Sequence, residues 1–414
     1  MDISHSLTKK RSKQIKETIY TLSFIIMMVV FIGYLTNVMG VTFFFQSVMK
    51  TAYSLLMDTA LYIMAIAVIM GAFGNLMTEF GVVSILNFVF APLMKPLYNL
   101  PGAAFLGITT TYLSDNPAII TLAGDEHYIK FFKKEQVPLL CNLGTAFGMG
   151  LILTTFMIGL GFFKEAMMGN VGAIIGSVVS VRIMTYKIKK SGYFESKRFS
   201  KSKIDHTSEI DFMKSGINSV DMSVVMKDSQ SVNDDMDEDD DDTFFIRFMT
   251  SMLTGGKRGV EMGIAIIPGL IFVCTIIMLI TFGPVDAALG YQGLAYEGVD
   301  LLPRIGALFT PIIQPLFGFT SPEAIAFPIT SLGAVGAAMS LVPKFLDLGL
   351  IKGNDIAVFT AMGMCWSGYL STHIAMMDAL NHRKLISSAL FSHTMGGLAA
   401  GISAHFIYVL FTSI

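Results

Sequence analysis

The sequence predicts an all-α protein that crosses a membrane several times and consists of two inverted repeats. Its 414 residues are 53% hydrophobic and only 14% charged, with a mean hydropathy of +0.63. A water-soluble protein of this composition would lack the polar groups needed to cover its surface. In addition, one proline-interrupted apolar element occurs in both halves, and lysine and arginine are concentrated in particular loops. These three observations define the fold class and its orientation.

Seven apolar runs are long enough to cross the hydrocarbon core, which takes about 20 helical residues. The first follows a basic segment and is longer than a signal-peptide core, which predicts a retained helix with a cytoplasmic N-terminus. This helix is additional to the repeats. Two further regions, near 82–122 and 301–343, are interrupted and predict broken, re-entrant hairpins. The predicted spans lie near residues 18–45, 52–78, 136–161, 165–187, 258–283, 355–379 and 385–412.

The interrupted element has one pattern in both halves. Residues 91–98 precede a break at 99–102, and residues 310–317 precede a break at 318–323. Two prolines and the leucine that follows them occupy matching positions in the two copies. Such breaks free backbone N–H and C=O groups, which membrane proteins tolerate only when buried in protein or lining a wet cavity. Paired broken segments therefore indicate the binding site of a transporter.

The charges of the loops predict the orientation. Lysine and arginine cluster after the first hairpin, after the fourth span and between the last two spans, so these loops are predicted to be cytoplasmic. The segment 284–300 carries acidic residues but no lysine or arginine, and suits the outside. The unit helix–hairpin–helix–helix then starts outside in the first half and inside in the second. The matching segments 141–144 and 365–368 support this pairing of the halves.

Four parts of the chain are predicted. Residues 1–50 hold the N-terminus and first helix, 51–187 the first repeat, 188–242 a charged cytoplasmic linker and 243–414 the second repeat. The linker ends in an acidic run at 234–242, which repels itself and lacks the apolar area needed for stable structure. A divalent-cation or regulatory role for this run is the alternative.

Glu323 is the first candidate for a substrate-binding residue, because an ionisable group at membrane depth is costly unless it has a function. It follows Thr320, Ser321 and Pro322, and a proline at this point favours a helix start whose free N–H groups attract anions. The alternative is that Glu323 only caps its own helix. Thr320 and Ser321, together with Thr330 and Ser331 further along the same hairpin, are further candidates for substrate binding.

The first hairpin contributes Thr111, Ser114, Asp115 and Asn116 before the helix-disrupting Pro117. Hydroxyl, carboxylate and amide groups inside an apolar arm suit hydrogen bonds to a polar solute or coordination of an ion. Asp115 is therefore a candidate both for substrate binding and for ion coupling. Alternatively, this segment caps a helix at the membrane edge.

The helices after the hairpins carry Asn142 and its counterpart Ser367, both candidates for substrate binding. His373 and Asp378 lie close to one helical turn apart and are candidates for ion coupling through a proton relay or an ion pair. A buried histidine with only structural hydrogen bonds is the alternative. Cys141 and Cys365 could instead bind a soft divalent metal.

Familiar enzyme motifs are absent from the sequence, including H-E-x-x-H, G-x-S-x-G and G-x-G-x-x-G, and residues 254–258 lack two features of a P-loop. We therefore predict a protein that is not an enzyme, has no cofactor and does not bind nucleic acid. Any uphill transport would draw on a gradient of Na⁺ or H⁺.

The paired Pro-x-x-x-Pro-Leu elements, together with residues 319–324 and 114–117, resemble the nucleoside-recognition "Gate" domain of bacterial membrane proteins. Concentrative nucleoside transporters and the permease part of ferrous-iron transporters are more distant members. The resemblance implies a multi-pass protein of the bacterial cytoplasmic membrane, a small-molecule substrate and a homo-oligomer. The Thr-Glu pair of the nucleoside transporters is matched only loosely by 321–323, and the cysteine of the iron transporters is absent there.

The leading hypothesis is a secondary-active transporter of a small polar solute, nucleoside-like or an organic anion, with its site at the two hairpin tips. One alternative is a divalent-metal permease that uses Cys141 and Cys365. Another is a membrane scaffold or sensor that transports nothing.

Overall fold

The computed structural model describes residues 2–124, 126–194 and 244–412, and every regular element within them is a helix. The predicted all-α polytopic class is confirmed. In the first half the α-helices are α1 (Asp2–Met39), α2 (Val41–Ser54), α3 (Leu61–Glu79), α4 (Val82–Tyr98), α5 (Ala104–Leu113), α6 (Pro117–Gly124), α7 (Glu126–Ile129), α8 (Val137–Thr145), α9 (Gly150–Gly159) and α10 (Phe163–Ser191). A π-helical turn, Leu55–Ala60, joins α2 to α3.

In the second half the α-helices are α11 (Phe244–Thr281), α12 (Leu301–Phe317), α13 (Ala326–Ser331), α14 (Val335–Met339), α15 (Leu341–Asp347), α16 (Gly353–Cys365), α17 (Tyr369–Ala379) and α18 (Ile386–Thr412). Short 3₁₀ helices, Pro322–Ile325 and Arg383–Leu385, precede α13 and α18. From residue 195 on, the predicted linker lies outside the described residues, and so does its acidic run.

Six helical stretches among the described residues are long and apolar enough to cross a membrane. They are Lys16–Met39, Val41–Glu79, Val137–Gly159, Phe163–Ser191, Phe244–Thr281 and Arg383–Thr412. A seventh candidate is Leu301–Phe317 with Pro322–Ser331, a pair bent by 79°. The sixth predicted span, 355–379, consists instead of the two shorter helices α16 and α17, because the chain turns at Gly368 in the left-handed region (φ 59°).

The order of elements is the same in both halves. Each has a helix with two internal prolines (α4 and α12), a broken hairpin (α5–α6 and α13–α14), an interrupted helix (α8–α9 and α16–α17) and a long last helix (α10 and α18). The repeat predicted from the sequence therefore extends beyond the proline element to four successive elements.

The chain turns at both predicted breaks, and a further interruption follows each of them. At 99–102, where Asn99 takes left-handed geometry (φ 58°) and Pro101 follows, the chain turns so that α5 packs against α4, with the Phe90 and Phe105 rings stacked at 5.2 Å. A second turn lies one helix later, at 114–116, where Pro117 begins α6. In the second half the break at 318–321 ends α12 and bends the chain by 79°, and a further interruption follows at 332–334.

The chain forms two compact units, and the smaller one comprises Met1–Ser54 and Thr275–Pro303. Its core contains Leu35, Met39 and Phe44 together with Leu279 and Val299. The loop before α12 surrounds the buried carboxylate of Glu297. This carboxylate accepts hydrogen bonds from the backbone N–H groups of residues 292 and 294 at 3.0 Å. A buried carboxylate with such donors organises a loop that has no helix of its own.

The larger unit comprises Leu55–Cys274 and Arg304–Ile414. At its centre the last helices of the two halves, α10 and α18, pack at backbone distance, and α16 packs against both. Small residues make this possible: a Cβ added at Gly176 would lie 2.5 Å from the backbone oxygen of Gly396 and from Ala400 Cβ. Close approach through small residues is the usual way in which membrane helices associate.

Candidate functional site

Four helix interruptions lie within the larger unit, two from each half. We number them break 1 (114–116), break 2 (146–149), break 3 (332–334) and break 4 (366–368). The chain leaves helical geometry at each for a local reason. Asn116 precedes a proline at break 1, and Met149 and Gly368 have positive φ at breaks 2 and 4. Ala334 is extended at break 3.

Breaks 1, 2 and 4 meet at Asn116. Its side-chain amide donates a hydrogen bond to the backbone carbonyl of Ser367. Gly148 packs so closely that an added Cβ would overlap the Asn116 side-chain oxygen and lie 3.0 Å from Ser367 Cβ. One asparagine from the first half thus holds together the interruptions of two helices that belong to different halves.

Break 3 joins the same junction through Gly368. Its backbone N–H donates to the carbonyl of Ser331, at the end of α13, over 3.0 Å. The carbonyl oxygen of Gly333 lies 3.2 Å from the position of a Cβ at Gly368. All four interruptions therefore converge, and we call this place the four-break junction.

The first hairpin presents oxygen atoms at the junction. Asn116 is 3% exposed, and its Oδ1 has no hydrogen-bond partner in the described part of the chain. Asp115 is half-buried, and its carboxylate accepts only the neighbouring backbone N–H, from residue 116, among the hydrogen bonds found there. A buried acceptor without a partner usually marks a place where a water, an ion or a ligand binds. Carboxylate and amide oxygens suit a hard cation or the donor groups of a polar solute.

The hydroxyl groups predicted to bind substrate donate hydrogen bonds within their own helices. Thr111 donates to the carbonyl of Gly107 at 2.7 Å, and Ser114 donates to that of Thr110 at 2.6 Å. Thr330 and Ser331 donate in the same way within α13. Such back-bonding is common for Ser and Thr in membrane helices. Ser331 and Ser367 contribute their carbonyl groups, rather than their hydroxyls, to the four-break junction.

Thr320, Ser321 and Glu323 lie elsewhere, in the turn between α12 and α13. Glu323 is half-buried in the first turn of the 3₁₀ helix. The eight residues that separate it from Ser331 place it about 12 Å or more along the helical path. This acid lies at the break predicted at 318–323, where the chain bends by 79°, and not at the four-break junction.

The partner of that turn is Asp355, which the sequence reasoning did not select. Its buried carboxylate accepts hydrogen bonds from the backbone N–H and hydroxyl of Thr320 at 2.9 and 2.5 Å, and from the N–H of Lys352 at 2.9 Å. Asn354 donates to the last carbonyls of α12. The sequence signal that could have identified Asp355 is an acidic residue in the first turn of α16, where a capping box places one.

Replacing Asp355 with asparagine should destabilise the protein by about 2 kcal/mol, since hydrogen bonds to a charged group contribute about 1.5–3 kcal/mol. Asparagine can accept at one oxygen only, so one of the three donors loses its acceptor. The shift in the temperature of unfolding in detergent measures this loss. Asp347→Asn, at an exposed aspartate, is the matched control, and an equal shift in both variants would contradict the role of Asp355.

Behind the junction a buried polar chain connects α8, α10 and α18. The Asn142 amide donates to Ser180 Oγ at 2.9 Å and to the Ala389 carbonyl at 3.2 Å, and Ser180 Oγ lies 3.0 Å from His393 Nδ1. The other ring nitrogen of His393 contacts the Cys365 carbonyl. Asn142 thus lies in this chain rather than in contact with the Asn116 amide. His393 was missed because nothing in the sequence of α18 marks it.

The remaining predicted residues are distributed as follows. His373 is buried in α17, whereas Asp378 forms an exposed ion pair with Arg383 at 3.0 Å. Cys141 and Cys365 are both buried, and Cys365 Sγ contacts the Ala173 carbonyl at 3.7 Å. No group of three or more His, Cys, Asp or Glu side chains in the described residues could hold a metal ion. The geometry thus gives no specific support to the metal-permease alternative.

Comparison with known proteins indicates the fold. Two solved structures of CNTnw, a concentrative nucleoside transporter, superpose on the chain. An outward-facing variant has a TM-score of 0.51 at 13% identity over 85% of this chain and 76% of its own. A variant in an intermediate state has a TM-score of 0.50 at 14% identity over 95% and 87%. The chain therefore shares the fold of these two structures. No family model matches the sequence, and no curated protein matches it either.

Proposed function

We propose that the protein is a secondary-active transporter of a small polar solute, nucleoside-like or an organic anion, which binds at the four-break junction. The observation that carries this proposal is the contact of Asn116 with Ser367 and Gly148. It joins interruptions from both halves of the chain around an acceptor without a partner. Broken helices that meet between two repeats form the substrate and ion sites of secondary transporters.

The proposal assigns different roles to neighbouring groups. Asn116 Oδ1 and the Asp115 carboxylate accept hydrogen bonds from the solute or coordinate its coupling ion. The backbone groups of breaks 3 and 4 line the opposite side. Alternating access follows from motion of one half against the other around this junction. By the positive-inside rule, the N-terminus lies in the cytoplasm of a bacterial cell.

Asp115→Asn tests the site with little change in shape. We expect it to lose at least about tenfold in affinity, because removing a charged acceptor costs about 1.5–3 kcal/mol and 1.4 kcal/mol corresponds to tenfold. The measurement is a thermal-shift titration of the purified protein with uridine, adenosine and succinate, with and without Na⁺. A solute that binds the native state raises its apparent stability by mass action.

Asn37→Ala, at an exposed asparagine of α1, is the matched control and should keep the wild-type response. Uptake of the stabilising solute into proteoliposomes then shows transport directly. Equal stabilisation of the wild type and Asp115→Asn would place the binding site elsewhere. A solute that stabilises the protein but never enters proteoliposomes would favour a sensor.

A further inference from the structure

Two histidine side chains lie against each other in the interior of the larger unit. His373 on α17 and His393 on α18 are 0% and 1% exposed, with 4.5 Å between their ring centroids. The Tyr369 ring lies 5.5 Å from the first and 5.0 Å from the second, and its hydroxyl is hydrogen-bonded to Thr394 at 2.6 Å. Two imidazoles at this distance repel each other strongly if both are charged.

Hydrogen bonds determine which nitrogen of each ring carries hydrogen. His373 Nδ1 lies 3.0 Å from the Tyr369 carbonyl, so this nitrogen donates. His393 Nε2 donates to the Cys365 carbonyl, and its Nδ1 accepts from Ser180. Every ring nitrogen is then engaged except His373 Nε2, which is buried and has no hydrogen-bond partner among the described residues. The neutral pair thus retains one basic lone pair.

We propose that His373 Nε2 is a proton-binding site and that the His373–His393 pair takes up a single proton. A proton bound at Nε2 forms one N–H bond and converts His373 to an imidazolium. A second proton on His393 would place two like charges 4.5 Å apart, which is unfavourable in the interior. That this proton is the coupling ion of transport rests on the proposed function. That the histidine pair binds it does not depend on the proposed function.

The pair is connected to the four-break junction through the backbone. His393 holds the carbonyl of Cys365, the last residue of α16, and break 4 begins at the next residue. Two residues further on, the Ser367 carbonyl accepts the hydrogen bond from Asn116. A charge on His373 therefore acts on the ring that fixes one side of break 4. Protonation and solute binding would bias the same short segment, as coupling requires.

Other titratable groups on the surrounding helices make contacts away from the two imidazoles. Asp378 pairs with Arg383, and the Lys187 ammonium lies over the Phe391 ring at 4.0 Å. In the described part of the chain, none of these ionisable side-chain groups forms a hydrogen bond or ion pair with either imidazole. On the packed helices they include Cys141 on α8, Lys187 on α10, Asp355 and Cys365 on α16, Asp378 on α17, Arg383 and Lys384 before α18, and His405 and Tyr408 on α18.

The single tryptophan of the chain, Trp366, makes the proposal measurable. Its ring lies 6.4 Å from that of Tyr369, and its Nε1 packs against Gly397, one turn beyond His393. An imidazolium quenches indole emission much more than a neutral imidazole does. We expect acidification of the full-length protein in lipid nanodiscs from about pH 8, without solute, to quench Trp366 in one single-proton transition.

His373→Gln should reduce the amplitude of this transition to less than about a fifth of the wild-type value. His382→Gln, near the end of α17, should leave it unchanged. Because His373→Gln could fail to fold, ¹⁵N NMR of imidazole-labelled wild-type protein gives a second readout. It should show at least one histidine with hydrogen on Nδ1 at about pH 8, which becomes an imidazolium on acidification.

An unchanged transition in His373→Gln, or no transition in the wild type, would overturn the proposal. The outcome is separable from that of the transport proposal. Asp115→Asn should lose solute stabilisation yet retain the Trp366 transition. Conversely, if no solute of the panel stabilises the protein, the histidine pair is still expected to titrate.

Discussion

Replacing Gly148 with alanine should weaken solute binding at least about fivefold while the protein remains folded. The added Cβ would overlap Asn116 Oδ1 and press on Ser367 Cβ, so the asparagine must leave its position between breaks 1, 2 and 4. Its amide then loses the Ser367 carbonyl, and a buried donor left unsatisfied costs about 1–3 kcal/mol, which corresponds to about fivefold or more.

Thermal-shift titration with the solute that stabilises the wild type measures this loss, and proteoliposome uptake should fall with it. Gly269→Ala is the control, because a Cβ at Gly269 meets nothing within 4 Å. If Gly148→Ala bound and transported like Gly269→Ala, the four-break junction would not be the solute site.

The fold was predictable because its signals are local. Apolar length gave the spans, and matching prolines gave the repeat, since both are properties of neighbouring residues. The prolines mark the repeat without interrupting it: α4 runs through Pro92 and Pro96, α12 runs through Pro311 and Pro315, and both helices end at the predicted breaks. The interruptions that form the junction come later, where an asparagine precedes Pro117 in the first half and Ala334 is extended in the second.

The junction was only partly predictable, because its contacts join residues far apart in sequence. Asn116 was selected from its own neighbourhood, but its partner Ser367 lies 251 positions away. Glu323 was favoured as an acid after a proline, yet the acid that organises this region is Asp355, on another helix. His393 became visible only when α17 and α18 were brought together. Single residues can be nominated from a sequence, whereas their pairing requires the fold.

Replacing Gly176 with leucine should destabilise the protein by about 3 kcal/mol or more, at the upper end of what overpacking a core usually costs. Gly176 faces the backbone of Gly396 and the side chain of Ala400, and no flexible side chain is there to yield. Membrane helices gain little hydrophobic energy from association, so α10 and α18 depend on close packing. Separating them would also move Ser180 away from His393, and with it the support of break 4.

The yield of monodisperse protein and its unfolding temperature in detergent report this effect. Gly33→Leu, at an exposed position of α1 with no neighbour within 4 Å, adds the same side chain without a clash and should behave like the wild type. Equal behaviour of the two variants would mean that α10 and α18 can separate without loss. In that case the two halves would be held together chiefly by α16 and the four-break junction, and Gly148→Ala would then become the more destabilising substitution.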